Sequence, residues 1–374
     1  GGLNSGADTP VAGVTVRAFT STGRRIGPVT TDAEGNYSLN VPRNKVVRVE
    51  FSGLPDGFAP GVVGDGAGPA VQIAKEPASD VNFAVNRPGD YCQDNPTLAT
   101  SCFVYGKQFG DGEFADDDAL VSFAYGANGS DASTKLAKAR DIGTTWGLAW
   151  DRNRSRLYSA AYAKRHTGFG PNGTGAIYST DTASGTTSLL FDANTIAPNH
   201  AGADPHPTSA SLAAGTGANT WHHDVNAFTA VGKIAFGDID VADDGSTLFA
   251  VNLASREIVE IPLGDTIDPS SVRRTAIPVP AGVPIGDARP FAVTYHRGTV
   301  YVGLVNSAES SQDAADLHAY VYSFTPGGAF SGPVLDFPLD YSRACAVVFQ
   351  CSSGDTAEWT PWASAFTIGE PSFN

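Results

Sequence analysis

Apolar and polar residues alternate in short runs near the N-terminal end of the chain. The runs VAGVTVRAFT, NYSLNVP and KVVRVEFSG lie within residues 11–53 and are separated by Gly, Pro and Asp. A period of two residues is typical of strands with one buried face, and Gly, Pro and Asp favour the turns between them. The pattern therefore predicts an antiparallel β-sandwich.

A longer pattern occurs three times after residue 118. Each copy has the order strand, polar turn, strand, gap, strand, turn and strand, and the copies begin with TWGLAWDRN, GDIDVADDG and PFAVTYHRG. Four antiparallel strands per repeat are the blade of a β-propeller, and closed propellers have about four to eight blades. Three recognisable blades therefore predict an incomplete propeller-like domain. Another chain, or the insertions at 192–234 and 307–318, would complete it.

The segments GVTVRAF, TTDAEGNYSLNVP and VVRVEFSGLPDGF resemble the B-type repeats of Gram-positive surface adhesins and the transthyretin-like, carboxypeptidase-regulatory β-sandwich. The resemblance covers roughly residues 10–87 and centres on Thr31, Asp32, Gly35 and Tyr37. It implies that Asp32 and Gly35 shape a turn and that Tyr37 enters the core. Such repeats carry an Asp/Asn-rich calcium loop upstream of this region, where the present sequence reads GGLNSGADTP. The resemblance therefore does not imply the family's calcium site in this chain. Together with the blades, the pattern resembles bacterial cell-surface proteins that combine sandwich repeats with propellers.

These patterns predict an all-β protein, since 374 residues are too many for one ordinary domain. An N-terminal transthyretin-like (prealbumin) β-sandwich is expected in residues 1–87 and a β-propeller-like domain in residues 118–374. Residues 88–117 are rich in Gly, Asp and Pro and have no sustained periodicity, which predicts an acidic linker.

The charge and composition of the chain indicate which kinds of binding partner are not expected. The chain has 24 Lys and Arg against 39 Asp and Glu, a net charge of −15. Binding to nucleic acid needs clustered cations, so nucleic acid is not an expected partner. No apolar run is long enough for a membrane-spanning helix. The absence of methionine and of a basic or apolar leader predicts a processed or excised piece of a longer precursor.

The four cysteines form two local couples, Cys92 with Cys102 and Cys345 with Cys351. Other pairings would close loops of more than 240 residues, so we predict local disulfides, although the sequence alone does not fix the pairing. Neither couple has CxxC spacing, and no His lies at the short spacing of a zinc site. Disulfides indicate an oxidising location outside the cytoplasm.

The second repeat contains the candidate calcium ligands Asp238, Asp240, Asp243 and Asp244. Calcium needs about six to eight converging oxygen atoms. Asp238 and Asp240 share one face of a strand, whereas Asp243 and Asp244 follow it in an Asp-Asp-Gly segment that suits a tight turn. We favour the turn and keep calcium as the alternative. The matching starts of the other blades are Trp146-Gly147 and Arg289-Pro290, so no ring of identical acids is expected.

The run DGEFADDDA supplies a second candidate calcium site at Asp116, Asp117 and Asp118. A solvated acidic linker explains the same residues. If calcium binds there, it would stiffen the joint between the two domains.

The segment NTWHHDVN places two histidines beside an aspartate inside an irregular insertion. Histidine is a frequent metal ligand and acid or base near neutral pH. Adjacent histidines on a strand point to opposite faces, however, and do not readily share one metal. The candidate ligand-binding residues are Trp221, His222, His223 and Asp224, with His200 and His206 in the same insertion.

We predict an extracellular or cell-surface structural and adhesive protein that associates through β-sheet edges and loops. Neighbouring subunits would supply missing strands by β-strand addition. The expected partners are other copies of the chain, cell-surface or matrix proteins, and glycans. The sequence has no GxSxG, P-loop or HExxH motif, so we predict a protein that is not an enzyme.

Two alternatives remain open. The first is a secreted propeller hydrolase or lyase that acts on polysaccharide, with His222, His223 and Asp224 in its site. The second is a carbohydrate-binding module that stacks sugars on Trp146, Trp150 or Trp221 without turnover.

Overall fold

The computed structural model describes residues 9–61, 63–64, 66–88, 96–108, 112–129, 131–206, 220, 223–342 and 358–365. Its regular structure is mostly antiparallel β-strand, which confirms the predicted all-β class. Within these ranges the α-helices are the single turns α1 (Ala139–Ile142) and α2 (Val225–Phe228). None of the described helices is long and apolar enough to cross a membrane. The chain divides into two compact units, Gly1–Pro96 and Thr97–Asn374.

The first unit contains a four-stranded sheet in the order β2-β1-β3-β5 and a two-stranded sheet β4-β6. Apolar side chains from alternate positions of β1 and β3 form its core, as the period of two predicts. The strands are β1 (Thr15–Thr20), β2 (Arg25–Thr30), β3 (Val46–Ser52), β4 (Ala59–Pro60), β5 (Val71–Lys75) and β6 (Val85–Asn86).

The turn implied by the adhesin resemblance is present in the first unit. A side-chain oxygen of Asp32 accepts hydrogen bonds from the backbone N–H of Glu34 at 3.1 Å and of Asn36 at 2.7 Å. Gly35 has a φ of 74°, which a glycine adopts without strain. Tyr37 packs edge-on against Phe51 and donates its hydroxyl proton to the carbonyl of Val81 at 2.7 Å. The expected roles of Asp32, Gly35 and Tyr37 are thus confirmed.

The second unit begins with a three-stranded sheet made of β7 (Thr97–Ser101), β8 (Asp118–Ala124) and β9 (Thr134–Lys138). Strand β7 lies inside the range 88–117 that we expected to be a linker, and it pairs with β8 from Thr97 to Ser101. Its sequence, TLATS, is short and only weakly apolar, so its own pattern does not predict a strand. It forms a strand because it pairs with the apolar strand β8.

Each of the three repeats forms one four-stranded antiparallel sheet whose strands follow in chain order. We name them sheets A, B and C. Sheet A comprises β10 (Thr145–Asp151), β11 (Arg156–Ala161), β12 (Ala176–Asp181) and β13 (Thr187–Asp192). Sheet B comprises β14 (Phe236–Val241), β15 (Thr247–Asn252), β16 (Glu257–Pro262) and β17 (Arg273–Ala276). Sheet C comprises β18 (Ala288–His296), β19 (Thr299–Asn306), β20 (His318–Phe324) and β21 (Phe330–Pro338).

The first strands of the three sheets lie next to one another, β10 beside β14 and β14 beside β18. One apolar core joins sheet A to sheet B, and a second joins sheet B to sheet C. A third core joins sheet A to the β7-β8-β9 sheet and to α1. Sheets A and B are therefore covered on both faces by described parts of the unit.

Two glycines allow the first strands to approach closely. A Cβ atom at Gly147 would lie 2.8 Å from the carbonyl oxygen of Gly237, and a Cβ atom at Gly237 would overlap the carbonyl oxygen of Phe291. Both obstacles are backbone atoms, which cannot rotate away as a side chain does. The close contact of β10, β14 and β18 therefore requires glycine at both positions.

We expect Gly237→Ala to destabilise the second unit by about 1–3 kcal/mol, the usual cost of forcing extra atoms into a packed site. The matched control is Gly286→Ala, because a Cβ atom there meets nothing within 4 Å. Urea unfolding monitored by tryptophan fluorescence measures both changes. Equal midpoints for the two variants would contradict the argument for close approach.

Candidate ligand site at three β-bulges

The register of each first strand shifts at its N-terminal end, where the strand contains a β-bulge or similar irregularity. The shifts lie between Thr145 and Leu148, between Phe236 and Ile239, and between Pro290 and Ala292. A bulge turns a side chain away from the direction that strict alternation would give it. The bulged residues are Trp146 and Gly147 in β10, Gly237 and Asp238 in β14, and Phe291 in β18.

Three rings meet at these bulges. The ring centroids are separated by 5.7 Å for Trp146 and Tyr162, 5.9 Å for Trp146 and Phe291, and 5.8 Å for Tyr162 and Phe291. Both contacts of Phe291 are edge-to-face, a favourable arrangement for aromatic pairs. Gly237 lies between Trp146 and Phe291 and has no side chain to separate them.

Phe103 extends this group. Its ring is nearly parallel to that of Trp146, with an interplanar angle of 13° and centroids 6.1 Å apart. The hydroxyls of Ser101 and Thr145 are 2.9 Å apart and hold the start of β10 beside the end of β7. We call Phe103, Trp146, Tyr162 and Phe291 the aromatic cluster.

A cation lies beside the aromatic cluster. The ammonium of Lys164 is 4.6 Å from the centroid of the Phe103 ring, within the range of a cation–π interaction. The backbone N–H of Gly106 donates to the carbonyl of His166 at 2.9 Å, which fixes these two segments side by side.

The indole of Trp146 remains 48% exposed although three rings surround it. Burial raises the pKa of Tyr162 to about 12, so its phenol stays neutral. The arrangement presents a fixed apolar ring with a positive charge nearby. It suits binding by stacking and ion contact better than proton transfer.

Asp238 and Asp240 do not converge with the other predicted calcium ligands. Asp238 accepts a hydrogen bond from the N–H of Ile239, and burial, followed by the nearby charge of Asp240, raises its pKa. Asp240 accepts from the N–H of Tyr295 at 2.7 Å and from the hydroxyl of Thr294 at 3.2 Å. Asp240 therefore ties sheet B to sheet C.

Asp243 and Asp244 lie in the turn between β14 and β15, where the Asp-Asp-Gly segment predicts a tight turn. Gly245 has a φ of 70°, and its N–H donates to the carbonyl of Ala242 at 2.8 Å. Hydrogen bonding to the side chain of Ser246, and then to its backbone N–H, lowers the pKa of the Asp244 carboxyl group. Across the described parts of the chain, no three His, Cys, Asp or Glu side chains are grouped to hold a metal.

The predicted acidic site at 116–118 is interleaved with cations. Asp116 pairs with Lys138 at 3.0 Å and with Arg140 at 2.6 Å, and Asp118 pairs with Lys135. The side-chain hydrogen bond from Lys138 is the main cause of the lowered pKa of Asp116. The two lysines and the arginine neutralise Asp116 and Asp118. Among the described residues, no further acids gather with them to hold a metal ion.

Among the described residues Cys102 has no disulfide partner, and burial raises the pKa of its thiol. Its expected partner Cys92, together with Cys345 and Cys351, lies outside the described residues. The two disulfides therefore stay predictions.

The histidine segment contributes one fully buried carboxylate. Asp224 has no exposed surface, a left-handed backbone with a φ of 44°, and an oxygen 2.6 Å from Nε2 of His206. Its other oxygen accepts from the N–H of His166. Trp221 and His222 lie outside the described residues, and the carbonyl of His223 accepts from Arg165. Asp224 thus joins distant loop segments.

The sequence pattern indicated only part of the aromatic cluster. Trp146 was a candidate stacking platform, and it lies at the centre of the cluster. Trp150, on the same strand, is 46% exposed and lies outside the cluster. Phe103, Tyr162, Phe291 and Lys164 were missed because they are far apart in the chain. The glycines next to Trp146 and Asp238 were the available signal, since glycine in a strand often marks a bulge.

No family model matches the chain. Sequence comparison finds similarity to colossins of Dictyostelium discoideum. Colossin-A is 27% identical over 378 residues, and colossin-D is 28% identical over 385 residues. These alignments cover 97% and 98% of this chain but only 3% of colossin-A and 38% of colossin-D. The chain therefore corresponds to a minor part of the length of either relative.

Likeness to solved structures is weak. A structure of a nidogen/laminin complex has a TM-score of 0.33 and 10% identity, and covers 63% of this chain and 60% of its own. A putative 6-phosphogluconolactonase from Bacteroides uniformis has a TM-score of 0.29 and 13% identity, over 66% of this chain and 69% of its own. Neither likeness bears on the function.

The ion pair of His206 and Asp224 predicts a loss of stability at alkaline pH. Burial alone would lower the pKa of His206, but the carboxylates of Asp204 and Asp224, whose oxygens lie 3.4 Å from Nδ1 and 2.6 Å from Nε2, outweigh burial and raise the pKa from 6.5 to about 9. The stabilisation is complete below pH 6.5 and disappears as pH rises through 9, a change of about 3 kcal/mol at most.

Urea unfolding between pH 6 and pH 10 measures this effect. We expect His206→Gln to be less stable near neutral pH and to lose less stability over that range. His296→Gln is the control, because His296 is exposed. A wild-type protein equally stable at pH 6 and pH 10 would refute the ion pair.

Proposed function

We propose that this protein is a structural or adhesive module of the cell surface or extracellular matrix that associates through sheet C and does not catalyse a reaction. The similarity to colossins of Dictyostelium discoideum is compatible with an extracellular structural protein. In this proposal the first unit is an adhesin-like sandwich, which the roles of Asp32 and Tyr37 support. Sheets A to C are an arc of a propeller, which their adjacent first strands support.

The observation that carries the proposal is the burial of the second strand in each sheet. In β11 and in β15, five consecutive residues are buried, so both faces of sheets A and B are covered. In β19 only alternate residues are buried, namely Val300, Val302, Leu304 and Asn306. The apolar members of this set face sheet B. The opposite face of sheet C is much more accessible.

This open face of sheet C is largely apolar. Two rows of paired residues cross it from β19 to β21. The first row is Gly303, Val321 and Leu335, and the second is Val305, Ala319 and Phe337. Leu335 is 51% exposed, and burial of apolar area against a partner is favourable at roughly 25 cal/mol per Å².

A second copy of the chain is the partner that we propose for this face. Two identical faces can pack about a two-fold axis, the commonest arrangement of homo-oligomers. The edge of sheet C is less suited to association, because Pro333 in the outermost strand β21 has no N–H to donate to an added strand. Face-to-face packing therefore explains the open surface better than strand addition at β21.

The rival hypothesis of a polysaccharide hydrolase or lyase depends on Asp224. Both of its carboxylate oxygens are already bonded, one to His206 and one to the N–H of His166, and the side chain is fully buried. A catalytic carboxylate must reach a substrate. The engagement of Asp224 supports a structural role for this residue.

Leu335→Asp tests the association. A charge on the open face of sheet C should weaken self-association at least tenfold, because a partner would bury it without a counter-ion. Leu189→Asp is the matched control, since Leu189 is a 42% exposed leucine on β13, the outermost strand of sheet A. Sedimentation velocity over a wide concentration range measures both variants.

A wild-type protein that stays monomeric over that range would overturn association through a second copy. Equal weakening by Leu335→Asp and Leu189→Asp would show that sheet C is not the interface. Equal melting temperatures of the two variants confirm that the comparison concerns association rather than folding.

A further inference from the structure

We propose that the aromatic cluster and Lys164 bind a uronic acid residue of an acidic polysaccharide. The residues of this site differ from those of the open face of sheet C, although Phe291 lies on the first strand of that sheet. The proposal depends on the exposed ring of Trp146, on the rings that hold it and on the charge of Lys164.

Trp146 is held by neighbouring rings and yet remains exposed. Three rings hold the indole, yet 48% of the side chain stays accessible. A ring that is fixed before a ligand arrives loses little conformational freedom on binding. The bulge at Trp146 and Gly147 sets this orientation, because regular alternation would aim the side chain elsewhere.

Lys164 places a positive charge at the aromatic cluster. Other lysines of this unit are paired, Lys138 with Asp116 at 3.0 Å and Lys233 with Glu309 at 2.6 Å. In the described ranges Lys164 has no such carboxylate partner and contacts the ring of Phe103. In a chain with a net charge of −15, an ammonium that has no described carboxylate partner and lies over the Phe103 ring, next to the exposed Trp146, is suited to an anionic group from outside.

Together the two features select a ligand with an apolar ring face and a negative charge. A pyranose ring has a face of C–H groups that can lie on an indole, and a uronic acid adds a carboxylate to that ring. A neutral sugar would make the stacking contact alone. The net charge of the chain repels polyanions, but salt screens this repulsion beyond about 8 Å at physiological ionic strength. The local contacts therefore decide binding.

Tetragalacturonate and its fully methyl-esterified form are the matched probes, because they share the sugar rings and differ in charge. Isothermal titration of the full chain measures both affinities. We expect tetragalacturonate to bind at least fivefold more tightly than the ester. We expect Trp146→Leu to weaken both at least tenfold. Trp150→Leu is the control, since Trp150 is 46% exposed on the same strand and should leave both affinities unchanged.

Lys164→Gln separates the contribution of charge. This variant should lower the affinity for tetragalacturonate to that of the ester and leave binding of the ester unchanged. The same titration with a tetramer of glucuronate tests whether the site accepts uronic acids as a class.

Three results would overturn the proposal. They are no binding of either uronate tetramer by the wild-type protein, equal losses in Trp146→Leu and Trp150→Leu, or equal weakening of the charged and esterified probes by Lys164→Gln. Thermal unfolding of each variant confirms that the change in affinity does not come from a loss of fold.

Discussion

The second unit depends on the close approach of three backbones at Gly147 and Gly237. Because neither residue has a side chain, β10, β14 and β18 lie next to one another. Their proximity sets the spacing at which the apolar faces of sheets A, B and C meet and form continuous cores. It also brings Trp146 against Phe291 across the middle strand. One local steric constraint thus determines both the packing of the sheets and the geometry of the aromatic cluster.

Acidic turns hold the same sheets together through polar contacts. Asp151 is buried and accepts hydrogen bonds from Arg154 and Tyr158. Arg154 in turn donates to the carbonyl of Gly245 at 2.7 Å, which joins a turn of sheet A to the turn of sheet B. Asp240 makes the corresponding link from sheet B to sheet C. Asp240, which resembles a metal ligand in the sequence, therefore serves as an acceptor between sheets.

The sequence predicted those strands and sheets that follow from a regular spacing of apolar residues. Alternation predicted β1 and β3 of the first unit, but the predicted run NYSLNVP at 36–42 forms no strand, and β2 and β5 lie outside the alternating runs. The repeated order of strands and turns predicted sheets A, B and C. Strand β7 was missed because TLATS has little pattern of its own and is defined by its pairing with β8. The aromatic cluster was missed for a related reason. Phe103, Tyr162 and Phe291 meet Trp146 only after the sheets pack, and the bulges that aim two of these rings interrupt the alternation that sequence reasoning uses.

The open face of sheet C and the exposed ring of Trp146 differ in physical character. We therefore propose a different kind of partner for each. The open face of sheet C consists of largely apolar side chains in register over three strands, and only a surface of similar width can cover it. At the bulges a single indole is exposed, with its orientation fixed by neighbouring rings and with the ammonium of Lys164 over the adjacent ring of Phe103. A small ligand can cover one ring and satisfy one charge, whereas it would leave most of the sheet face in water. The two proposed partners differ accordingly, a protein surface for the open face of sheet C and a single sugar residue for the aromatic cluster.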